Sequence, residues 1–225
     1  MRALCPPCNL SGAEAPGWPA EQFARRRVLA GGTLYAQGDP VDFIFAVRNG
    51  TFKSTLTLPD GREQICGFPM AGDFIALDGI ADGTHATTAT AIEDSDVCAV
   101  GQALLLDSIA QDPALRRRVN QLMSREIVRG HRVMILLGTM SAQERLAAFL
   151  LDLSQRLSAQ GYSARDFNLR MTRADIGSFL GMKLETVSRT LSALQDQGQI
   201  RVEHRRIRFI DREDFARHYE ALLAT

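Results

Sequence analysis

The sequence predicts an α+β fold made of an N-terminal antiparallel β-barrel, a long helix and a C-terminal helix-turn-helix with a β-hairpin wing. Three observations predict it. Glycine-containing turn signals recur about every ten residues between 31 and 83, an amphipathic stretch of about 25 residues follows residue 112, and two short helical patterns meet at Gly181. The predicted segments are a cysteine-containing arm (1–18), the barrel (19–111), the long helix (112–140) and the winged domain (141–225).

The overall composition excludes several classes of protein. The chain has 225 residues, which is enough for one large domain or two small ones that each bury a core. Its 26 Lys and Arg balance 26 Asp and Glu, so a uniformly basic nucleic-acid binder and a charged disordered chain are both excluded. We find no run of about 18 apolar residues and no secretion signal, and we therefore expect a cytoplasmic protein that does not bind membranes.

The predicted barrel consists of short segments rich in β-branched and aromatic residues. These segments are Phe43–Val47, Thr51–Leu56, Gln64–Phe68 and Ala86–Ile92. Between the second and the third lies Asp60-Gly61, a dipeptide that favours a tight hairpin turn. Short strands at this spacing are typical of an antiparallel barrel or sandwich.

The long helix is predicted to begin at Asp112 and Pro113, because Asp is a good N-cap and Pro suits the first helical position. Its apolar stripe consists of Leu115, Val119, Leu122, Met123, Ile127, Met134 and Leu137. A helix of this length needs a partner along its stripe. We favour the same helix of a second copy, which makes a homodimer, and the alternative is packing along its own barrel.

The C-terminal part contains two capping-box signatures, Ser141–Glu144 and Thr172–Asp175, and each is expected to begin a helix. The helix that follows Thr172 ends at Gly181. A further helix begins near Leu184 and stops at Gly198. Two short helices joined through a glycine turn indicate a helix-turn-helix.

The outward side chains of the second of these helices match the chemistry of base edges. Glu accepts a hydrogen bond from a cytosine amine, Arg donates two to guanine, and Ser suits either kind of edge. Glu185, Ser188 and Arg189 lie in the N-terminal half of the helix, the part that enters a major groove. The alternative is that Glu185 and Arg189 form a plain surface ion pair four residues apart.

Positive charge is concentrated around this motif. Residues 165–212 include ten basic and six acidic residues, a net charge of +4, whereas the other 16 basic and 20 acidic residues give −4. Apolar and basic residues alternate over Ile200–Ile210, which predicts a wing whose cations face phosphate. The predicted DNA-contacting residues are Thr172, Arg173, Lys183, Glu185, Thr186, Ser188, Arg189, Arg205 and Arg206.

Barrel, long helix and winged helix-turn-helix in this order resemble the CRP/FNR family of transcription regulators over nearly the whole chain from about residue 20. The stretches that resemble its FNR branch are Gly67–Asp73, Glu144–Phe149, Met171–Gly177 and Glu185–Arg189. The resemblance implies a jelly roll like that of cyclic-nucleotide-binding domains and no catalysis. It also implies a homodimer on a palindrome with TTGAT-type half-sites, where Glu185, Ser188 and Arg189 would read the bases.

The resemblance further implies a sensor, because the FNR branch holds a [4Fe–4S] cluster with three arm thiolates and one thiolate after the barrel strands. Cys5, Cys8 and Cys98 match three of these positions, and the remaining arm position falls near Glu14. Cys66 lies on a predicted strand and is a substitute ligand only if the fold brings it close. A cluster with Cys66 or Glu14, a thiol or disulfide switch, and a cluster-free, constitutive regulator all stay open.

Two departures from the family change what we expect of the signal. The cyclic-AMP-binding branch holds the phosphate with an Arg-Ser pair, but the matching stretch Ala81–Thr88 has no arginine, so we do not expect cyclic AMP. Gly130 and His131 stand near the place where oxygen sensors carry an acidic residue, so a charge gate on dimerisation is not expected. His85 is the only barrel histidine, which leaves few ligands for a haem sensor.

The hairpin tip formed by Asp60, Gly61, Arg62 and Glu63 is charged. In activators of the family the matching hairpin contacts RNA polymerase, and the alternative is an ordinary solvated turn. A rival of another class is a small-molecule-binding or enzymatic β-barrel with an incidental helical tail. We find no nucleophile–base arrangement, no glycine-rich phosphate loop and no zinc-type histidine spacing that would favour this rival.

Overall fold

The computed structural model describes residues 23–220, and the chain divides into two compact units, Met1–Ile127 and Val128–Thr225. The predicted arm, with Cys5, Cys8 and Glu14, lies outside the described residues. Within residues 23–220, none of the helices combines the length and the hydropathy of a transmembrane span.

The first unit contains two four-stranded antiparallel sheets. The first sheet has the order β1 (Phe23–Val28), β8 (Ser95–Gly101), β3 (Phe43–Asn49) and β6 (Phe74–Ile75), and the second has the order β2 (Thr33–Tyr35), β7 (Thr88–Ala91), β4 (Phe52–Thr57) and β5 (Glu63–Gly67). Phe45 and Val97 from one sheet and Phe52 and Ala91 from the other belong to one buried cluster. The predicted barrel is therefore a pair of packed sheets, in agreement with the predicted α+β class.

The turn between β3 and β4 requires glycine for two reasons. Gly50 has φ +89°, a left-handed conformation that side chains with a Cβ rarely adopt. A Cβ at this position would also lie 2.1 Å from Oγ of the buried Ser95. The turn signal in the sequence thus marks a close approach between the β3–β4 turn and strand β8.

Two helices follow the sheets, α1 (Gln102–Gln111) and α2 (Pro113–Thr139). Helix α1 was not predicted from the sequence. The predicted N-cap of α2 is confirmed, because Oδ1 of Asp112 accepts hydrogen bonds from the backbone N–H groups of Ala114 at 2.8 Å and Leu115 at 3.2 Å. These contacts satisfy two of the donors that every helix leaves unpaired at its start.

The apolar stripe of α2 has two different environments. Near the start of the helix, Leu115 and Val119 are buried and pack with Phe74 of the first unit. Further along, Ile127 and Met134 are 60% and 71% exposed. Packing on its own module therefore accounts for the first part of the stripe, and the later part keeps large apolar side chains in solvent.

The second unit contains four further helices and three strands. They are α3 (Ala142–Ala159), β9 (Asp166–Asn168), α4 (Arg173–Leu180), α5 (Leu184–Asp196), β10 (Ile200–Glu203), β11 (Arg206–Phe209) and α6 (Arg212–Glu220). The strands form one antiparallel sheet in the order β10-β11-β9. The capping box at Ser141 and Glu144 is present as predicted, whereas α6 was not predicted.

Candidate nucleic-acid interface

The turn between α4 and α5 is determined by local sequence. The hydroxyl of Thr172 accepts a hydrogen bond from the N–H of Asp175 at 3.0 Å, and the Asp175 carboxylate accepts one from the N–H of Thr172 at 2.9 Å. Gly181 ends α4 with φ +63°. A Cβ on Gly177 would lie 2.5 Å from the carbonyl oxygen of Met182, so only glycine allows the turn to pack so closely.

Helix α5 has one buried face and one face that points to solvent. The buried residues are Val187, Thr190, Leu191 and Leu194. Glu185 and Arg189 are exposed, while Thr186 and Ser188 are half-buried at the border between the two faces. The predicted base-reading residues therefore lie on one side of the helix, with the apolar residues on the other.

Glu185 and Arg189 make no ion pair and no side-chain hydrogen bond within the described part of the chain. The interpretation as a surface ion pair four residues apart is therefore not supported. Lys183 occupies the N-cap position of α5, is exposed and likewise has no side-chain partner there. An acid and two cations are thus exposed at the N-cap and in the N-terminal half of α5, without side-chain hydrogen-bond or ion-pair partners among the described residues.

Ser188 has an internal partner that the sequence did not reveal. Nη1 of Arg173 donates a hydrogen bond to Oγ of Ser188 at 3.1 Å. Arg173 is the first residue of α4, and both side chains are half-buried. Two residues that the sequence predicted separately as DNA contacts are thus joined to each other.

The wing is fastened to strand β9 by Asp166. The two oxygens of this carboxylate accept hydrogen bonds from Nε and Nη2 of Arg206, both at 2.7 Å, and Nη2 of Arg208 lies 2.9 Å away. The hydrogen bonds from Arg206 lower the pKa of Asp166 to about 2. Arg206 is therefore engaged within the protein. Arg205 lies at the exposed hairpin turn, and its guanidinium makes a long, 3.5 Å contact with the carbonyl oxygen of Arg170.

Other arginines of the basic segment also serve the fold. Nε of Arg165 donates to the carbonyl of Phe209 at 3.0 Å, and Nε of Arg212 donates to the hydroxyl of Ser154 at 2.9 Å. The net charge of +4 found in the sequence is real, but its carriers differ in role. Exposed cations near the start of α5 are better placed for a nucleic acid than those that hold strands together.

Arg145, on α3, is a structural residue that sequence reasoning missed. Its guanidinium donates to three carbonyl groups, those of Met140 at 2.9 Å, Leu137 at 2.8 Å and Leu180 at 3.1 Å. The carbonyls of Leu137 and Met140 lie at and just after the end of α2, and that of Leu180 lies at the end of α4. Carbonyls at helix ends lack intrahelical donors, and a cation is favourable there.

The two described cysteines lie on different sheets. Cys98 is 3% exposed on the inner strand β8, and because its neighbours Val97 and Ala99 face the core, Cys98 points to the opposite side of the sheet. Cys66 is exposed on β5, the edge strand of the second sheet. Among residues 23–220 we find no group of three or more His, Cys, Asp or Glu that could hold a metal ion.

Cys66 is also poorly suited to thiol chemistry. Desolvation raises the pKa of its thiol above the usual value, so the protonated form is favoured at neutral pH. The thiolate is the form that attacks disulfides and binds metals. The position of Cys66 and its pKa together weigh against its predicted part in a metal site.

The stretch that matches the cyclic-nucleotide site offers no cation. The hydroxyl of Thr87 donates to the carboxylate of Asp78 at 3.0 Å. His85 is buried, and its ring stacks on Tyr35 with 3.7 Å between centroids. Its Nδ1 has no hydrogen-bond partner in the part of the chain that the structure describes. Desolvation lowers the pKa of His85, so a neutral imidazole and an acid occupy this region.

The hairpin tip predicted as a polymerase contact is exposed throughout. Nε of Arg62 donates to the carboxylate of Asp60 at 2.8 Å, and Gly61 has φ +85°. Glu63 begins β5 and is also exposed. Exposure of this kind is compatible both with a partner surface and with a solvated turn.

Comparisons with known proteins agree with this architecture. A model described as "Crp-like helix-turn-helix domain" matches residues 144–217, and one described as "Cyclic nucleotide-binding domain" matches residues 25–112. The "Transcriptional regulatory protein btr" of Bordetella pertussis is 42% identical over 218 residues, which cover 93% of this chain and 90% of that protein. The "Fumarate and nitrate reduction regulatory protein" of Escherichia coli is 39% identical over 200 residues, which cover 89% and 80%.

A solved structure with the same fold is that of FixK2 from Bradyrhizobium japonicum. It superimposes with a TM-score of 0.79 at 32% sequence identity, and the match covers 87% of this chain and 96% of that one. The order of sheets, long helix and winged helix-turn-helix, the matching models and these relatives lead to one conclusion. The chain belongs to the CRP/FNR family of DNA-binding transcription regulators.

Proposed function

We propose that the chain is a homodimeric regulator that recognises a palindrome of TTGAT-type half-sites. The single observation that carries the proposal is the outward face of α5. It presents Glu185 and Arg189, which have no side-chain partners within residues 23–220, and Ser188 between them in sequence. An acid, an alcohol and a guanidinium in the N-terminal half of a recognition helix are suited to reading bases in a major groove.

Around these readers, the cations and hydroxyls divide into two groups. Lys183 and Arg205 are exposed and would bind backbone phosphates. Thr172 and Thr186 lie at the starts of the two helices and would add hydroxyl contacts. Arg206 would contribute chiefly by holding the wing in place through Asp166. Phosphate contacts of this kind set the position of the protein on DNA without selecting the sequence.

A gel-shift titration at fixed salt tests the DNA-binding proposal. We expect the wild type to prefer a TTGAT palindrome over a scrambled duplex of the same composition. Arg189→Ala should cost roughly 1–3 kcal/mol of specific binding and relax the preference at one base pair. Equal loss of affinity on all sequences would show that Arg189 touches only phosphate. Equal affinity of the wild type for both duplexes would defeat the proposal as a whole.

The exposed later part of the α2 stripe supports a homodimer. Ile127 and Met134 would pack against the same residues of a second copy, and the two recognition helices would then address half-sites one DNA turn apart. Met134→Glu should produce monomers in sedimentation velocity. Ile210→Glu is the matched control, since Ile210 is 47% exposed but lies outside α2. Dimers that persist in the Met134 variant would place the interface elsewhere.

We further propose that redox or oxygen state is sensed through Cys98 together with the arm residues Cys5 and Cys8, with Glu14 as a further ligand. A buried thiol at the family position supports this, and relatives carry names such as "Anaerobic regulatory protein" and "Electron transport regulator A". A [4Fe–4S] cluster would supply an oxygen-sensitive group there. Among the described residues, Cys98 is the one that we propose as a ligand of such a cluster.

Iron and sulfide, measured per chain after purification without air, test the sensor. Cys98→Ala should lose both elements, while Cys66→Ala, the matched control on the other sheet, should keep them. Loss in the Cys66 variant would restore Cys66 as a ligand. Absence of iron and sulfide from the wild type would favour the alternative of a cluster-free, constitutive regulator. The lack of a third cysteine in the arm supports this alternative.

One further partner and a location complete the proposal. The exposed tip formed by Asp60, Arg62 and Glu63 would contact RNA polymerase, as the family resemblance implies. Substitution of all three by Ala should reduce transcription from a bound promoter in vitro and leave DNA affinity unchanged. Unchanged transcription would identify the tip as a solvated turn. A regulator of transcription is expected to work in the cytoplasm, and we propose that location.

A further inference from the structure

We propose that Arg173 determines DNA specificity through Ser188: its guanidinium fixes the Ser188 hydroxyl as a hydrogen-bond donor toward the base that Ser188 reads. Arg173 is a positioning residue in this respect. The inference rests on the proposed function, because it concerns how the same recognition helix discriminates bases. The observation that carries it is the hydrogen bond from Nη1 of Arg173 to Oγ of Ser188.

The direction of this hydrogen bond is fixed by chemistry. A guanidinium has donors only, whereas a hydroxyl has one proton and two lone pairs. At a distance of 3.1 Å, Ser188 must therefore be the acceptor, and its own proton remains unused by Arg173. Because one lone pair of Ser188 Oγ already accepts from the Arg173 guanidinium, the most favourable further hydrogen bond of this hydroxyl is one in which it donates its proton to a second acceptor.

The neighbouring hydroxyls of α5 behave differently, and this contrast supports the inference. Thr190 donates to the carbonyl of Thr186 at 2.8 Å, and Ser192 donates to that of Ser188 at 3.2 Å. Both protons are thereby turned back onto the helix. The Ser188 proton makes no such bond within the described chain, although Ser188 occupies the same helix. It is left to point toward whatever lies against the outward face.

A donor at this position selects among base edges. Guanine offers O6 and N7, adenine N7 and thymine O4 as acceptors, whereas cytosine presents an amine. The positive charge of Arg173 beside the hydroxyl would further oppose an approaching amine. Arg173 should therefore raise the penalty for cytosine at the base that Ser188 contacts. Without Arg173, the hydroxyl could accept from cytosine, and the penalty would fall.

The experiment is a gel-shift panel in which each position of the half-site is changed to all four base pairs. The proteins are the wild type, Arg173→Ala, Arg173→Lys, Ser188→Ala and the double variant Arg173→Ala/Ser188→Ala. The matched control is Lys183→Ala, since Lys183 is an exposed cation near the start of α5 with no side-chain partner in the described chain. Circular dichroism verifies that each variant is folded.

We expect Ser188→Ala to reduce the cytosine penalty at one position by about tenfold. Arg173→Ala should reduce it at the same position, and the double variant should show no further change there, since the two residues act as one unit. Arg173→Lys keeps the charge and tests the effect if the alanine variant does not fold. Lys183→Ala should weaken binding to every duplex alike and leave the pattern of preferences unchanged.

Three results would overturn the inference, and the third would also overturn the proposed function. If Arg173→Ala and Arg173→Lys weaken all duplexes equally, Arg173 binds phosphate and does not act through Ser188. If Ser188→Ala changes no positional preference, Ser188 does not read a base. If the wild type itself shows no preferred palindrome, the proposed function fails first and this inference fails with it.

Discussion

Replacing Arg145 tests whether one guanidinium holds the ends of two helices in the second unit. Arg145→Met keeps the methylene stem and removes three hydrogen bonds of 2.8–3.1 Å to the carbonyls of Leu137, Met140 and Leu180. A hydrogen bond to a charged group contributes about 1.5–3 kcal/mol. Because the side chain is only half-buried, water can replace part of this, and we expect a loss of about 3 kcal/mol in total.

Native-state hydrogen exchange, read by mass spectrometry on peptides of α4 and α5, measures this loss locally. A change of about 3 kcal/mol corresponds to roughly a hundredfold faster exchange through opening of these helices. Arg145→Lys should give a smaller effect, because an ammonium cannot reproduce the three-pronged geometry. Arg217→Met is the control, since Arg217 is exposed and forms a solvent-exposed ion pair with Asp214.

Equal exchange rates in the Arg145→Met and Arg217→Met variants would refute the reasoning. They would mean that the three carbonyls are satisfied by water at no cost, and that the ends of α2 and α4 are held by apolar packing alone.

Three further predictions concern the close approach at the β3–β4 turn and two titrating groups. Gly50→Ala should destabilise the first unit by more than about 2 kcal/mol in urea unfolding, because its Cβ would overlap Ser95; a change below about 0.5 kcal/mol would contradict this. Asp166 has a pKa of about 2, below its ordinary 3.8, so its contribution to stability is present above pH 3.8 and is lost as the pH falls toward 2. Asp166→Asn should remove this part of the acid dependence, and an unchanged acid titration would count against the ion pairs. The pKa of His85 is lowered from 6.5, so stability should be full above pH 6.5 and decline below it, as the unfolded chain takes up the proton. His85→Phe should flatten that slope in thermal unfolding, and an identical slope in both proteins would show that His85 titrates normally in the fold.

The sequence predicted correctly those helix starts and ends that depend on residues close together in the chain. The capping boxes at Ser141 and Thr172, the N-cap at Asp112 and the helix end at Gly181 are all found as predicted. Each depends on residues within four positions along the chain, so a short stretch of sequence is sufficient to predict it. The same holds for the buried and exposed faces of α5, which follow from helical periodicity.

What the sequence could not predict depends on partners that are distant along the chain. Arg206 was counted as a cation for DNA, yet its partner Asp166 is 40 residues away on a three-residue strand. Helix α6 was missed because its packing partner lies on another element: Phe215 packs on the ring of Phe209, with 4.8 Å between centroids. Charge counts and periodicity do not reveal such pairings, which appear only when the chain is folded.

Because Glu185 and Arg189 are exposed and make no side-chain hydrogen bond or ion pair in the described protein, a change at either position leaves no buried polar group unsatisfied. The operator preferred by such a regulator can therefore drift during evolution while thermodynamic stability stays constant. Ser188 differs, since Arg173 would have to adapt together with it. Duplicated copies of this chain could thus acquire new regulons by one or two substitutions on a scaffold that does not change.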